Sequence, residues 1–321
     1  MTTEAGKREA GAEKGPLRHR IKVVPRPQSP ERAESVLSDL LIRAAEDAST
    51  SDLAAWLDQD PQLRAFLAGV FANAPYLREL AMVRPQRLQR VLGEDLEDLI
   101  SGTIHAAREA RPADEAGLMR ELRQLKQDLA LAVALADIGG AIDLDDVTRA
   151  LAELADASLT AAIRLCLREL AARGKFSPQD LDEPEKGSGL IVLAMGKHGA
   201  FELNYSSDID LIVFYDPEIA PLSANAEAPV EFVRLTKRLV KIMQERTADG
   251  YVFRTDLRLR PDPGATPVAI SVPAALAYYE ALGQNWERAA LIKARPCAGD
   301  IPAGEAFLHE IVPFIWRKYL D

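Results

Sequence analysis

Three carboxylates, a glycine turn and a run of arginines are the residues of this chain whose types and spacing could do chemistry. Asp208 and Asp210 stand two apart in Ser206-Ser207-Asp208-Ile209-Asp210. In a strand, residues two apart project to one face. Two like charges so placed are costly unless a cation joins them or one takes a proton, and hard oxygen ligands favour Mg²⁺ or Mn²⁺. Two-metal phosphoryl chemistry needs a further carboxylate, so that ions about 3.5–4 Å apart are both held. Asp256 offers one, in Phe253-Arg254-Thr255-Asp256-Leu257-Arg258-Leu259-Arg260. By the same period of two, Arg254, Asp256, Arg258 and Arg260 share a face, and guanidinium groups match phosphate oxygens with paired donors. Ahead of the acidic pair stands Gly196-Lys197-His198-Gly199. Gly196 removes a Cβ where backbone must pass close to phosphate, and Lys197 can neutralise phosphate charge. Ser206 and Ser207 can donate hydroxyl hydrogen bonds to phosphate or to metal-bound water. This set suits metal-assisted transfer of a nucleotide.

No single piece is specific. Most Asp-x-Asp pairs cap strands or face solvent, an arginine-rich strand face is usually a solvated one, and Asp256 could simply pair with Arg254 or Arg258. The order carries the reading: strand, Gly-Lys, about ten residues, Ser-Asp-x-Asp, strand, helix, then a strand with a lone Asp.

The elements that must position these residues follow from periodicity. Residues 190–195 and 209–215 are continuous apolar runs of the kind expected for strands buried on both faces. Residues 231–247 place Phe232, Leu235, Leu239 and Ile242 on one helical stripe, and 251–259 alternate as a third strand. Residues 274–282, 286–294 and 303–316 read as helices. Upstream, 31–173 are helical throughout, with Leu118, Leu122, Leu125, Leu129 and Val133 on one face and Pro61, Pro75 and Pro85 as punctuation, for some six to eight helices. Residues 1–30 bury almost nothing and are expected to be a disordered leader. Residues 174–188 read as a polar linker, and 189–321 as a domain with a small sheet.

Other residues are assigned less. His198 lies in the turn and reads first as a polar loop residue, second as a nucleotide contact. His19, His105 and His309 have no partners at ligand spacing. Around Trp286-Glu287-Arg288, the cations Arg288, Lys293 and Arg295 reach either phosphate or a partner, or else flank a packing helix with Trp286 in the core. Trp56 and Trp316 read as core.

The chain has 321 residues, 48% hydrophobic and 27% charged, enough for two domains with sizeable cores. Its 39 Lys and Arg against 49 Asp and Glu leave a net charge of −10, which disfavours general nucleic-acid binding. Two cysteines, Cys166 and Cys297, make neither a disulfide framework nor a zinc cluster and read as buried thiols. No stretch approaches the roughly 20 apolar residues of a membrane span, and the charged, proline-rich N-terminus is unlike a secretory signal. The expectation is a cytoplasmic protein that binds neither nucleic acid nor membrane.

Together, Gly196-Lys197-His198-Gly199 with Glu202-Leu203-Asn204, Ser206-Ser207-Asp208-Ile209-Asp210-Leu211, Asp256-Leu257-Arg258-Leu259-Arg260-Pro261 and Trp286-Glu287-Arg288 with Lys293-Ala294-Arg295 resemble the glutamine synthetase adenylyltransferase family. This family adenylylates and deadenylylates glutamine synthetase in bacterial nitrogen control. Ala200 departs from its pattern, which often has a second glycine there. The resemblance implies an α+β fold, a helical N-terminal domain followed by a DNA polymerase β-like nucleotidyltransferase domain with a small mixed sheet. It implies Asp208, Asp210 and Asp256 as catalytic, Mg²⁺-binding carboxylates. The long helical leader and the connector Glu202-Leu203-Asn204-Tyr205-Ser206-Ser207 look like the N-terminal half, which in this family uses phosphate to remove AMP from adenylyl-tyrosine and releases ADP. The implied partners are glutamine synthetase, ATP or ADP, phosphate and a PII signal protein. Because one catalytic core is seen where the family has two, the chain reads as a fragment. The alternative to an enzyme is therefore a catalytically incomplete module that binds glutamine synthetase or PII.

Overall fold

The computed structural model describes residues 14–316. Proline sets the rhythm of its first part. The helices are α1 (Pro30–Ala45), α2 (Asp52–Gln59), α3 (Pro61–Asn73), α4 (Pro75–Val83), α5 (Pro85–Gly93), α6 (Leu96–Arg108), α7 (Glu115–Ile138) and α8 (Leu144–Ala172). Four of them begin on proline, whose missing N–H is one that a first turn leaves unpaired anyway. Ser29 caps α1 by accepting from the Arg32 amide, and Asp60 caps α3 by accepting from Gln62 and Leu63.

The chain divides into two compact units. One takes the described residues up to Gly102 together with Asp128–Val147; the other takes Thr103–Gln127 and the described residues from Thr148 onward. Helices α6, α7 and α8 are thus shared between units, and the division does not fall at residue 173, where the helical pattern ends. In the first unit Leu37, Leu40, Phe66, Phe71, Leu131 and Leu135 are buried in one core. The expected leader ends earlier than residue 30. Leu17 is fully buried in a 3₁₀ turn, and Ile21 joins the same core. Arg20, also buried, pairs with Glu97 at 2.7 Å and donates to the Ala141 carbonyl at 2.9 Å. Two apolar anchors and one paired arginine are too few to register in composition, yet they tie the segment down. Residues 1–13 lie outside the described residues.

The second unit holds the sheet. Its strands are β1 (Leu190–Ala194), β2 (Ile209–Tyr215), β3 (Thr255–Asp256), β4 (Ile270–Ser271) and β5 (Arg295–Gly299), and its helices after α8 are α9 (Gly196–Gly199), α10 (Ala228–Gln244), α11 (Val272–Ala281), α12 (Asn285–Leu291), α13 (Ile301–Glu310) and α14 (Val312–Ile315). The order is β3-β2-β1-β5, with β4 also on β2. β1 runs antiparallel to β2 and β5, whereas β3 and β4 run parallel to β2, so the sheet is small and mixed. Ile191, Leu193, Met195, Ile212, Phe214 and Phe307 are buried in its core.

Four expectations change here. The third strand, expected over 251–259, is only Thr255–Asp256. Val252 and Phe253 are both buried and both donate to the Met243 carbonyl at the end of α10, so neighbouring side chains go inward together instead of alternating. β5 was not expected, because Pro296 and Gly299 argue against a strand; it lies at the sheet edge and pairs with β1 through a register shift, where proline is tolerated. Trp316, expected in the core, is exposed, and so is Trp286, which the packing-helix alternative placed in the core; α12 buries Glu287, Arg288 and Leu291 instead. The segment 174–188 is held down rather than free: Phe176 is buried and bridges Leu222, and buried Glu185 pairs with Arg164. Among the described residues no helix is long and apolar enough to cross a membrane.

Candidate active site

The carboxylates meet at one end of β2. Asp210 is paired in register with Asp256 across the parallel β2–β3 contact, and Asp208 lies one residue before β2. Neighbouring strands sit about 4.8 Å apart, so the two carboxylates share a short stretch of surface. Burial, then the charges of Asp256 and Asp208, push the Asp210 carboxyl above its ordinary range. Asp256 is held below its range by the Arg258 guanidinium, whose Nε donates to it at 2.9 Å. Asp208 is held by Arg254, which also donates to the Ser206 carbonyl at 2.7 Å and the Tyr251 hydroxyl at 3.0 Å. Asp210 thus lies between two arginine-paired acids and carries their mutual repulsion.

The glycine turn serves this group from the other side. Gly196 has φ +53°, and a Cβ there would come within 3.0 Å of the Asp210 carboxylate. Its lack of a side chain makes room for an acid of this chain itself. Gly199 closes the turn, because a Cβ there would collide with the Lys293 carbonyl at 2.0 Å.

The other expected residues divide. Lys197 and Ser206 are exposed and Ser207 is half-buried beside the acids. Arg258 is exposed and bound to Asp256. Arg260 is not on a shared face with them: its guanidinium donates to the carbonyls of Leu257, Pro263, Thr266 and Pro267 and closes the loop after β3. The period-2 face fails because β3 ends at Asp256.

A family model described as "GlnE: Glutamate-ammonia ligase adenylyltransferase" matches residues 63–310. The chain belongs to this family. It is 50% identical over 302 residues to the "Bifunctional glutamine synthetase adenylyltransferase/adenylyl-removing enzyme" of Bradyrhizobium sp. (strain BTAi1), covering 92% of this chain and 30% of the relative. The enzymes of the same description from Bradyrhizobium diazoefficiens and Rhizobium meliloti are 53% and 49% identical over 292 and 304 residues, covering 90% and 92% of this chain and 29% and 30% of each relative. The chain therefore spans about 30% of the length of the curated relatives it matches. The family reached from the motifs agrees with these matches.

In this adenylyltransferase-family chain, a second cluster lies behind the turn and was not foreseen. His198, expected as a polar loop residue, is buried, and its Nε2 is 2.7 Å from the Asp156 carboxylate on α8. Arg295 donates to both oxygens of that carboxylate, at 2.7 and 3.1 Å, and its guanidinium lies 3.8 Å from the centre of the Phe201 ring. Asp156, His198 and Cys297 place a donor atom each within 4.8 Å of one another, close enough to hold a metal ion. The donor chemistry argues otherwise. Arg295 already occupies both Asp156 oxygens, and burial pushes the Cys297 thiol well above its usual range, so it stays protonated and donates to the Val192 carbonyl at 3.4 Å. Of the remaining cations, Lys293 pairs with Glu202 at 2.7 Å, and Arg288 donates to Asn285 at 2.8 Å. Sequence reasoning missed Asp156 because it sits on a helix more than forty positions from the turn, with only a helical period to describe it.

Proposed function

We propose that this chain performs phosphorolytic deadenylylation of glutamine synthetase within a DNA polymerase β-like nucleotidyltransferase domain. The observation that best supports this reading is the in-register pairing of Asp210 with Asp256 beside Asp208. An oxygen of inorganic phosphate attacks the α-phosphorus of the adenylyl-tyrosine. A new P–O–P bond forms as the bond to the tyrosyl oxygen breaks, and the phosphate proton passes to that oxygen. ADP and unmodified tyrosine are the products.

Asp208, Asp210 and Asp256 fit a divalent cation, because their oxygens are hard ligands and the raised Asp210 carboxyl records a repulsion that a cation relieves. When bound, Mg²⁺ supplies electrostatic stabilisation of the oxygens around the α-phosphorus. Gly196 keeps the wall beside Asp210 open. Arg254 and Arg258, which hold the two outer acids, offer their remaining donors to phosphate oxygens. Lys197, Ser206 and Ser207 line the approach on the same turn and connector. On this reading the protein substrate is glutamine synthetase and the setting is the cytoplasm. ATP and a PII signal protein belong to the adenylylating activity that the relatives' description also names.

The test is ADP release. The purified chain is incubated with adenylylated glutamine synthetase, phosphate and Mg²⁺. ADP that disappears in Asp208→Asn supports the assignment. A folded chain that releases no ADP but labels glutamine synthetase from ATP reverses the direction. One that does neither but binds glutamine synthetase is a docking module.

A further inference from the structure

One cation of this unit has no role in the reading above. Lys126 is half-buried on α7, its Nζ 4.5 Å from the centre of the Tyr251 ring and 5.7 Å from that of Phe253. Its Nζ donates a long hydrogen bond, 3.4 Å, to the Tyr251 carbonyl. Arg254, which holds Asp208, lies 5.7 Å from the same Tyr251 ring. Arg123, one turn earlier on α7, is fully buried and donates to the carbonyls of Met119, Glu245 and Gly250. Lys126 therefore has Arg254 and Arg123 as its charged neighbours, with burial the main cause of a proton affinity lowered to about 8. Glu245 and Asp249 act on Arg123. Lys126 and Arg254 thus share the Tyr251 ring, with Arg123 one turn earlier on α7 and Asp208 bonded to Arg254.

The arrangement is built and not incidental. Arg123, Lys126 and Gln127 lie on one face of α7 and donate to the carbonyls of Glu245, Asp249, Gly250 and Tyr251. They fix the turn that delivers Tyr251 and Arg254 to the acids. Aromatic faces attract a cation but do not neutralise it, and a cation such as Lys126, whose charged neighbours are arginines, raises the local affinity for an anion. Arg254 joins the cluster to Asp208, so the anion would sit against the catalytic carboxylates.

We propose that Lys126, with Arg254 and the Tyr251 ring, forms a phosphate subsite beside Asp208, which takes inorganic phosphate and, after transfer, the terminal phosphate of ADP. This rests on the phosphorolytic reading for its catalytic consequence, but not for binding itself.

Two measurements test it. The first is binding without turnover. An amine-acylating reagent is applied to the intact chain near pH 8, and labelling of the peptide carrying Lys126 is followed by mass spectrometry. Inorganic phosphate and ADP should each slow labelling of Lys126 at least fivefold while an exposed lysine away from the site, such as Lys186, is unaffected. AMP, which has no β-phosphate to reach the subsite, should not. Equal protection by AMP, or none by phosphate, overturns the subsite. The second is kinetic: Lys126→Gln should raise KM for phosphate about tenfold, with kcat and KM for adenylylated glutamine synthetase within threefold, and Lys126→Arg should recover most of the loss. An unchanged KM for phosphate in an active Lys126→Gln variant overturns the proposal. Phosphate protection of Lys126 in a chain that releases no ADP sinks the phosphorolytic reading and leaves the subsite standing.

Discussion

Asp210 and Asp256 face one another across the parallel β2–β3 pair, yet their proton affinities move in opposite directions. Asp256 has the Arg258 guanidinium; Asp210 has burial and two neighbouring acids. The proposed site therefore contains one acid that is content without a cation and one that is not.

Replacing either acid with asparagine should lower ADP release by at least about a hundredfold, since each removes a charge that acts on the reacting phosphorus. Their stabilities should diverge. The Asp210 carboxyl titrates higher in the folded chain than unfolded, so its charge opposes folding at neutral pH and that penalty vanishes below its ordinary range near 3.8. Asp210→Asn should melt higher than wild type at pH 7 and no higher at pH 3.5. Asp256 has the opposite sign: its contribution is present above 3.8 and lost as pH falls below it. Because Arg258 is exposed, Asp256→Asn should change stability by no more than about 0.5 kcal/mol. A lower melting temperature for Asp210→Asn at pH 7 would contradict this account.

Divalent cation should act through Asp210. Mg²⁺ at millimolar concentration should raise the melting temperature of the wild-type chain, and less so in Asp210→Asn, because binding to the folded state alone stabilises by mass action. Equal shifts in both proteins would place the ion elsewhere.

Lys126 makes a separate prediction for stability. Its proton affinity is lowered from 10.5 to about 8. The unfolded chain thus binds the proton more tightly, and this group lets stability rise with pH between about 8 and 10.5. At pH 7 the buried charge costs about 1–3 kcal/mol. Lys126→Met should gain that much in urea unfolding at pH 7 and little at pH 10, while losing phosphate affinity.

The Asp156 cluster should behave as a hydrogen-bonded strut. Asp156→Ala strands buried His198 and half-buried Arg295, and should cost about 3 kcal/mol. Dialysis of the Asp210→Asn chain against a chelator should leave its melting temperature unchanged. Cys166, its thiol pushed to about 12, and Cys297 should both resist a thiol reagent until the chain unfolds. A drop in melting temperature on chelation that persists in Asp210→Asn would assign an ion to Asp156, His198 and Cys297 after all.

The local elements were legible because they depend on neighbours in the chain. Helix starts at proline, the stripes of α7 and α8, and the apolar runs of β1 and β2 are periodic signals, and Asp208 and Asp210 share a strand end by spacing alone. The family, too, was readable from its motifs. Tertiary structure decided everything that joins distant segments. It paired Asp256 with Asp210, set Gly196 against a carboxylate of its own chain, shortened the third strand to two residues, and spent Arg260 on loop carbonyls. It also buried His198 against Asp156 and brought Lys126 to Tyr251 and Arg254. The physical reason is common to all of these. A side chain's period reports the face it occupies, whereas its charge state and partner depend on which other segment covers that face.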